Sequence, residues 1–240
     1  MVNSSLIQYL RSALFNVIFY VNLALFLLGG SFLFFCPRTW AMMGLKLWAR
    51  SSIFWLRIIC GTEYEVRGLE NIPKNGVLIA GKHQSSFETF ALIPYLADPA
   101  MVLKRELTFI PWFGWFALKF GMIGIDRSAG PSAIKSLIKK AKLAISQNRE
   151  VVIFPEGTRQ ALGAKPDYKP GAAALYLALN VPCVPFALNS GLYWPRRKFI
   201  RKPGKIIVSF LPAIPPGLKR REFEARLIHE VERASAELLA

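Results

Sequence analysis

The chain has 240 residues, of which 53% are hydrophobic and 19% charged, so it has ample material for a packed core and is not a disordered tail. Collagen-like and disulfide-scaffold proteins are excluded by the same composition. An excess of 31 Lys and Arg over 15 Asp and Glu gives a formal net charge of +16. Nucleic-acid-binding proteins of such charge are usually poorer in Phe and Leu, so we expect an anionic membrane surface as partner and no nucleic acid.

The three cysteines are widely spaced, and each lies in an apolar stretch. We therefore expect Cys36, Cys60 and Cys183 to be reduced packing residues. No Cys/His cluster has the spacing of metal ligands, so the sequence predicts no zinc site.

The N-terminal segment is predicted to be membrane-associated. No charged residue occurs from Ser12 to Pro37, and the apolar run over 13–35 is longer than the about 20 residues that cross a bilayer. Gly29-Gly30 interrupts this run and Pro37 ends it. A cleavable signal peptide fits poorly, because no small-x-small site follows. Lys and Arg are concentrated after Pro37, which predicts that the rest of the chain lies on the cytoplasmic face.

A second helix is predicted from Thr39 to Cys60, rich in Trp and Leu. Lys46, Arg50 and Arg57 are spaced so that they share one helical face, which is typical of a helix at the membrane interface with its cations toward the headgroups. The alternative is one spanning helix followed by a buried soluble helix. We therefore divide the chain into membrane-embedded or interfacial helices over 1–60 and one domain over 61–240.

Strand and helix patterns alternate over 61–240, which predicts an α/β fold with a mixed β-sheet covered by helices. The predicted strands are Glu63–Arg67, Gly76–Ala80, Ala100–Leu103, Met122–Ile125, Glu150–Phe154, Cys183–Ala187 and Lys205–Phe210. One helix opens at Pro131, with an apolar face made of Ile134, Ile138, Ala141 and Ile145. The last helix runs from Lys219 to Leu239, with an apolar stripe made of Phe223, Leu227, Val231, Ala234 and Leu238.

Only two histidines occur. His229 lies off the apolar stripe of the last helix and is predicted to be solvated. His83 follows the strand VLIAG and Lys82, and it precedes a helical pattern that begins at about Ser86. The carboxyl end of a strand is where α/β folds place their sites, and a histidine there is a natural general base. The alternative is a histidine satisfied by backbone contacts.

Glu88 follows His83 by five residues. Within one helix the two side chains would point about 140° apart, but a histidine before the helix is within reach of a carboxylate in the first turn. Such a carboxylate would hold the imidazole as in catalytic triads. Ser85-x-x-Glu88 is also a capping box, in which Glu88 binds the Ser85 N–H instead. The sequence leaves both hypotheses open.

Two further stretches offer cations at strand ends. Lys104 and Arg105 follow the strand MVL, and the segment Phe154–Arg159 follows the strand EVVI. Gly157 would let the backbone approach a ligand, and Arg159 carries a planar fork suited to phosphate. Each stretch alone is more typical of a solvated turn.

The combination of these stretches resembles the four motifs of the 1-acyl-sn-glycerol-3-phosphate acyltransferase family over about residues 60–190. The motifs occur in the order Lys82-His83-Gln84-Ser85 with Glu88, Lys104-Arg105-Glu106-Leu107, Phe154-Pro155-Glu156-Gly157-Thr158-Arg159 and Val181-Pro182-Cys183-Val184-Pro185. The N-terminal apolar segments are also similar to that family. The resemblance implies a glycerolipid acyltransferase-like catalytic domain over 61–240. It also implies transfer of a fatty acyl chain from acyl-CoA or acyl carrier protein to the sn-2 hydroxyl of lysophosphatidic acid, forming phosphatidic acid.

The resemblance also assigns roles to residues. His83 would be the base and Glu88 its partner, and no cofactor or metal beyond the thioester co-substrate is implied. The implied substrate-binding residues are Lys104, Arg105, Glu156, Gly157, Thr158 and Arg159. Two positions depart from the family: Glu88 stands where the family usually has Asp, and Gln160 where it often has Ser.

Alternative functions are an acyltransferase for another acceptor, such as lyso-ornithine lipid or a lysophospholipid, or a non-catalytic membrane protein that binds anionic lipid. A thioesterase or lipid hydrolase fits less well, because no G-x-S-x-G nucleophile elbow is present.

Overall fold

The computed structural model describes residues 4–239. Two long helices come first, α1 (Ser4–Gly29) and α2 (Arg38–Cys60). A 3-10 turn, Ser31–Phe34, joins them, and Pro37 precedes the first residue of α2. The chain therefore breaks at the Gly29-Gly30 pair and at Pro37, as predicted.

Seven strands form one sheet in the order β1-β7-β6-β2-β5-β3-β4. Neighbouring strands are parallel except for β6 and β7, which are antiparallel, so the sheet is mixed as predicted. The strands are β1 (Thr62–Arg67), β2 (Val77–Gly81), β3 (Pro99–Lys104), β4 (Ile123–Ile125), β5 (Glu150–Ile153), β6 (Cys183–Leu188) and β7 (Gly204–Phe210). Each of the seven predicted strands is present.

Six further helices accompany the sheet. They are α3 (Glu88–Ala91), α4 (Phe113–Lys119), α5 (Pro131–Ser146), α6 (Gly171–Leu179), α7 (Ser190–Tyr193) and α8 (Arg220–Glu237). The stripe predicted for α8 is buried except for Leu238, which is half-buried.

The apolar face predicted for α5 needs a correction. Its buried residues are Ala133, Leu137, Ala141 and Ala144, while the predicted Ile134, Ile138 and Ile145 are only half-buried at the border of that face. The small alanines let α5 approach the sheet and α6 closely, so the centre of contact lies about one residue away from the bulkier isoleucines.

The helix α1 packs along the domain rather than projecting from it. Phe15 is fully buried with its ring edge-to-face against Trp194, at 5.4 Å between centroids. Near the C-terminal end of α1, Phe26 packs on Phe116 at 5.3 Å. The buried Ser12 hydroxyl accepts a hydrogen bond from the backbone N–H of Arg201 at 2.9 Å. One continuous hydrophobic core therefore crosses the expected division at residue 60.

The prediction that all three cations of α2 face the headgroups is wrong for Lys46. The Lys46 ammonium donates to the carbonyl oxygens of Leu96 (2.7 Å) and Ala97 (2.9 Å). These two oxygens come directly after a 3-10 turn that ends at Tyr95, so the ammonium holds α2 against the end of that turn. Arg50 and Arg57 are exposed.

The outer faces of α1 and α2 carry large apolar side chains on the surface. Examples on α1 are Leu10, Leu14, Val17, Val21, Leu25 and Leu28, and on α2 Trp40, Met43, Leu47, Phe54 and Ile58. Within the described part of the chain, one helix, Ser5–Gly29, is long and apolar enough to cross a membrane. An apolar surface of this extent is typical of a membrane-contacting face.

Phe15→Ala tests the docking of α1. Removal of a fully buried phenyl ring should cost about 3–5 kcal/mol of unfolding free energy. We expect the melting temperature of the detergent-solubilised protein to fall on the order of 10 °C. Val17→Ala, two residues away on the exposed face, should leave it nearly unchanged. Equal melting of the two variants would contradict the docked arrangement.

Candidate active site

The strand β2 delivers His83 to one edge of the sheet. All five residues of β2 are buried, and the strand is paired on both sides, with β5 and with β6. Because β2, β5 and β3 are parallel, their carboxyl ends meet at the same edge. His83, the segment 154–159 and Lys104 follow these three ends, so the predicted site residues converge there.

His83 and Glu88 are in direct contact. The imidazole Nδ1 lies 2.9 Å from Glu88 Oε1. Glu88 is the first residue of α3 and is fully buried, whereas His83 remains slightly exposed. The helix therefore begins beyond His83, and the five-residue spacing brings the two side chains together.

The capping-box hypothesis also describes real contacts. Glu88 Oε1 accepts the backbone N–H groups of Gln84 and Ser85, both at 2.6 Å. Its other oxygen, Oε2, accepts the Ser190 hydroxyl at 2.8 Å. The carboxylate thus caps the turn and binds the imidazole at the same time, since one oxygen serves both purposes.

The 154–160 segment holds His83 from the other side. The Phe154 ring stacks on the imidazole at 4.2 Å between centroids, with 22° between the planes. The backbone N–H of His83 donates to Glu156 Oε2 at 2.9 Å, and the backbone carbonyl of His83 accepts the backbone N–H of Gln160 at 2.7 Å. Side chain and backbone of His83 are therefore both fixed.

Glu156 points into the protein rather than toward the open edge. It is buried, with Oε1 3.0 Å from the ammonium of the equally buried Lys82. Burial raises the pKa of the Glu156 carboxyl, and the charge of Lys82 opposes that rise. Glu156 therefore holds the backbone of His83. The resemblance implies a different role for it, contact with the substrate.

Arg159 contacts the loop between His83 and Glu88. Its Nη1 donates to the hydroxyl of Ser86, three residues after His83. Gly157 has φ +66°, a conformation that favours glycine, and Thr158 is exposed. The guanidinium thus reaches the loop that follows His83. This agrees with the sequence-based suggestion that Arg159 binds an anionic group next to the histidine.

Lys104 and Arg105 lie farther along the same edge. Both are exposed and form surface ion pairs, Lys104 with Glu106 at 2.8 Å and Arg105 with Asp126 at 3.1 Å. Their strand β3 is separated from β2 by β5, which places them two strand spacings, about 10 Å, along the edge. They lie along the same edge as His83 and Glu88 but pair with Glu106 and Asp126 instead.

Three residues at the site were not predicted from the sequence. Ser190 is 102 residues from Glu88 in the chain, so no local pattern indicates their contact. Phe154 stands within a predicted motif but was assigned no role. Arg127 follows β4 and donates to the carbonyl oxygen of Gly157. Its position after a strand is the same signal that identified Lys104.

The chain is similar to known acyltransferases. A family model described as "Acyltransferase" matches residues 63–189, which include every predicted site residue. The 1-acyl-sn-glycerol-3-phosphate acyltransferase of Pseudomonas aeruginosa is 37% identical over 214 residues, covering 88% of this chain and 82% of the relative. The alpha form of the mouse enzyme of the same name is 30% identical over 162 residues, covering 66% of this chain and 57% of the relative.

The fold is also found in a solved structure. The crystal structure of the 1-acyl-sn-glycerophosphate acyltransferase of Thermotoga maritima matches with a TM-score of 0.81 at 23% identity, covering 97% of this chain and 98% of the other. At that identity the match speaks for the fold alone. The family model and the Pseudomonas relative show that the chain belongs to the acyltransferase family.

Gly81→Ala tests how β2 positions the site. A Cβ at Gly81 would lie 2.1 Å from the carbonyl oxygen of Phe186 on β6, and β2 is held by partners on both sides. We expect a lower melting temperature and a lower acyltransferase rate. Gly29→Ala is the control, because nothing lies within 4 Å of a Cβ there. A Gly81→Ala protein that melts and turns over like wild type would contradict the tight contact.

Proposed function

We propose that this chain transfers a fatty acyl group from an acyl thioester to the sn-2 hydroxyl of 1-acyl-glycerol-3-phosphate, forming phosphatidic acid. The observation that carries this proposal is the 2.9 Å contact between His83 and the fully buried Glu88 at a sheet edge lined by cations. The Pseudomonas relative, whose similarity covers 88% of this chain, carries that enzyme name. The acyl donor is acyl-CoA or acyl carrier protein.

The proposed reaction begins with proton removal from the acceptor. His83 Nδ1–H donates to Glu88, which leaves Nε2 as the free base toward the open side. Nε2 takes the hydroxyl proton as the oxygen attacks the thioester carbonyl, and the proton then passes to the departing thiolate sulfur. The ester bond forms as the C–S bond breaks. No protein nucleophile takes part in this sequence.

Glu88 stabilises the imidazolium that forms during attack. The two backbone N–H groups and the Ser190 hydroxyl hold the carboxylate in place, with Oε1 directly against Nδ1. The Gln84 and Ser85 N–H groups are occupied by Glu88. They are therefore not donors for the tetrahedral oxyanion.

The cations at the edge would hold the acceptor phosphate. Arg159 contacts Ser86 in the loop after His83, and its guanidinium offers a bidentate fork. Lys104 and Arg105 extend the positive edge. A phosphate held there would fix the acceptor hydroxyl against His83. Binding of the phosphate would thereby lower the entropic part of the reaction barrier. This charge favours lysophosphatidic acid over a lyso-ornithine lipid.

We further propose that residues 1–60 place the site on one leaflet, with the domain on the cytoplasmic face. The 26 residues of α1 span about 39 Å. Both ends of α1 contact the domain, through Tyr9 on Phe199 at 4.9 Å and Phe26 on Phe116. A crossing helix would lose these contacts, whereas a helix in one leaflet keeps them and presents its apolar face to lipid.

His83→Ala should lower kcat by roughly 10²–10⁴-fold, the usual contribution of a positioned base, without unfolding the protein. The matched control is His229→Ala, on the exposed face of α8. Purified protein in detergent is assayed with radiolabelled lysophosphatidic acid and each thioester donor in turn. Retention of more than a tenth of the wild-type rate would end the general-base assignment.

Glu88→Gln separates charge from capping. The amide oxygen still accepts the two backbone N–H groups, and the amide N–H₂ is able to donate to Ser190, so the melting temperature should change little. The charge beside the imidazolium is lost, and we expect kcat to fall on the order of 10²–10³-fold. Turnover within threefold of wild type, with normal melting, would reduce Glu88 to a cap.

Arg159→Lys should raise the KM for lysophosphatidic acid more than the KM for the acyl donor, because Lys keeps the charge but loses the bidentate geometry. Arg221→Lys on the exposed face of α8 is the control. An effect limited to the donor would move Arg159 out of the acceptor site.

Membrane placement is tested with single cysteines at Ser5 and at Ser146, each introduced into a protein whose native cysteines are replaced by serine. Ser5 lies at the start of α1 and Ser146 at the end of α5, and both are exposed. In sealed inverted vesicles, an impermeant maleimide should label both positions. Labelling of position 146 alone would indicate that α1 crosses the bilayer.

A further inference from the structure

A buried lysine lies directly behind His83. Lys82 is 5% exposed, and its ammonium contacts two carboxylates on different elements. It lies 3.0 Å from Glu156 Oε1, and 2.6 and 2.8 Å from the two oxygens of Glu232. Glu232 is on α8, 150 residues from Lys82. The proposed chemistry makes no use of Lys82 or Glu232.

This cluster is connected to the backbone of His83. Glu156 uses one oxygen for Lys82 and the other for the His83 N–H, at 2.9 Å. Any shift of Lys82 therefore changes the position of Glu156, and Glu156 holds the residue whose imidazole must meet the substrate. The path from α8 to His83 runs through two side chains, each in direct contact with the next.

The charges within the cluster do not balance. One ammonium serves two carboxylates, and burial already raises the pKa of Glu156 while the charge of Glu232 raises it further. The Tyr168 hydroxyl donates to Glu232 at 3.2 Å, which gives that carboxylate a second partner. Lys82 is thus the group that keeps Glu156 and Glu232 close to each other.

We propose that Glu232 is a positioning residue for the acyl transfer, which sets the place of His83 through Lys82 and Glu156. This inference rests on the proposed role of His83 as the base. Glu232 and Lys82 contact each other and Glu156, whereas the imidazole contacts Glu88 and Phe154, so neither is placed at the reacting atoms. Their removal should therefore change kcat and leave both KM values nearly constant.

The first test compares Glu232→Gln with Glu230→Gln. Both substitutions remove one negative charge from α8, but Glu230 pairs only with the exposed Arg233, at 3.1 Å. We expect Glu232→Gln to lower kcat about tenfold, a part of the roughly 10²-fold that a 1 Å misplacement can cost. KM should stay within twofold, the melting temperature should change little, and Glu230→Gln should behave as wild type.

The second test uses the charge imbalance. Lys82→Met leaves Glu156 and Glu232 without their cation, so kcat should fall by more than it does in Glu232→Gln. Adding Glu232→Gln to Lys82→Met removes the repulsion, and the double variant should recover part of the lost rate. A lysine that only fills space would show no such rescue.

The outcomes separate the two proposals. If His83→Ala stays active, the proposed function fails whatever Glu232 does. If His83→Ala is inactive and Glu232→Gln turns over like Glu230→Gln, Glu232 has no positioning role and the inference is overturned. A raised KM in place of a lowered kcat, or a double variant no faster than Lys82→Met, would also overturn it. Should Lys82→Met fail to fold, the comparison of Glu232→Gln with Glu230→Gln decides.

Discussion

The Glu88 carboxylate is buried completely, and the site depends on the hydrogen-bond donors that surround it there. Transfer of an unpaired carboxylate into the interior costs several kcal/mol or more. Here, two backbone N–H groups, the Ser190 hydroxyl and the His83 ring surround the two oxygens. The same bonds fold the turn and orient the imidazole, so the local structure and the proposed chemistry share one set of contacts.

Parallel pairing brings the rest of the site to this turn. Neighbouring ends of β2, β5 and β3 open at one edge, and the loop after β5 holds both the ring and the backbone of His83. The Phe154 stack and the Glu156 bond come from positions two residues apart in that loop. The cations along this edge need no dedicated loop, because Arg159 comes from the segment after β5 and Lys104 and Arg105 from the end of β3.

Most of the fold could be predicted from the sequence, since buried strands and amphipathic helices follow a local periodicity. His83 and Glu88 could also be paired, because they are five residues apart. Ser190 and Glu232 could not, since their contacts span 102 and 150 residues and depend on how elements pack. Lys46 was predicted to face the headgroups from its helical spacing, but its ammonium binds the carbonyl groups of Leu96 and Ala97, about 50 residues away in the chain.

The docking of α1 has a consequence for synthesis of the protein. Ser12 bonds to Arg201, 189 residues later in the chain, and Phe15 packs against Trp194. At about 5–20 residues per second, α1 leaves the ribosome on the order of ten seconds or more before its partners exist. During that interval α1 has α2 as a partner, through Phe19 and Phe26 on Trp48, but the side chains that later meet residues 194–201 have lipid or a chaperone to contact. Biogenesis at a bilayer would shelter this helix until the last third of the chain arrives, so the membrane acts as a temporary substitute for the core.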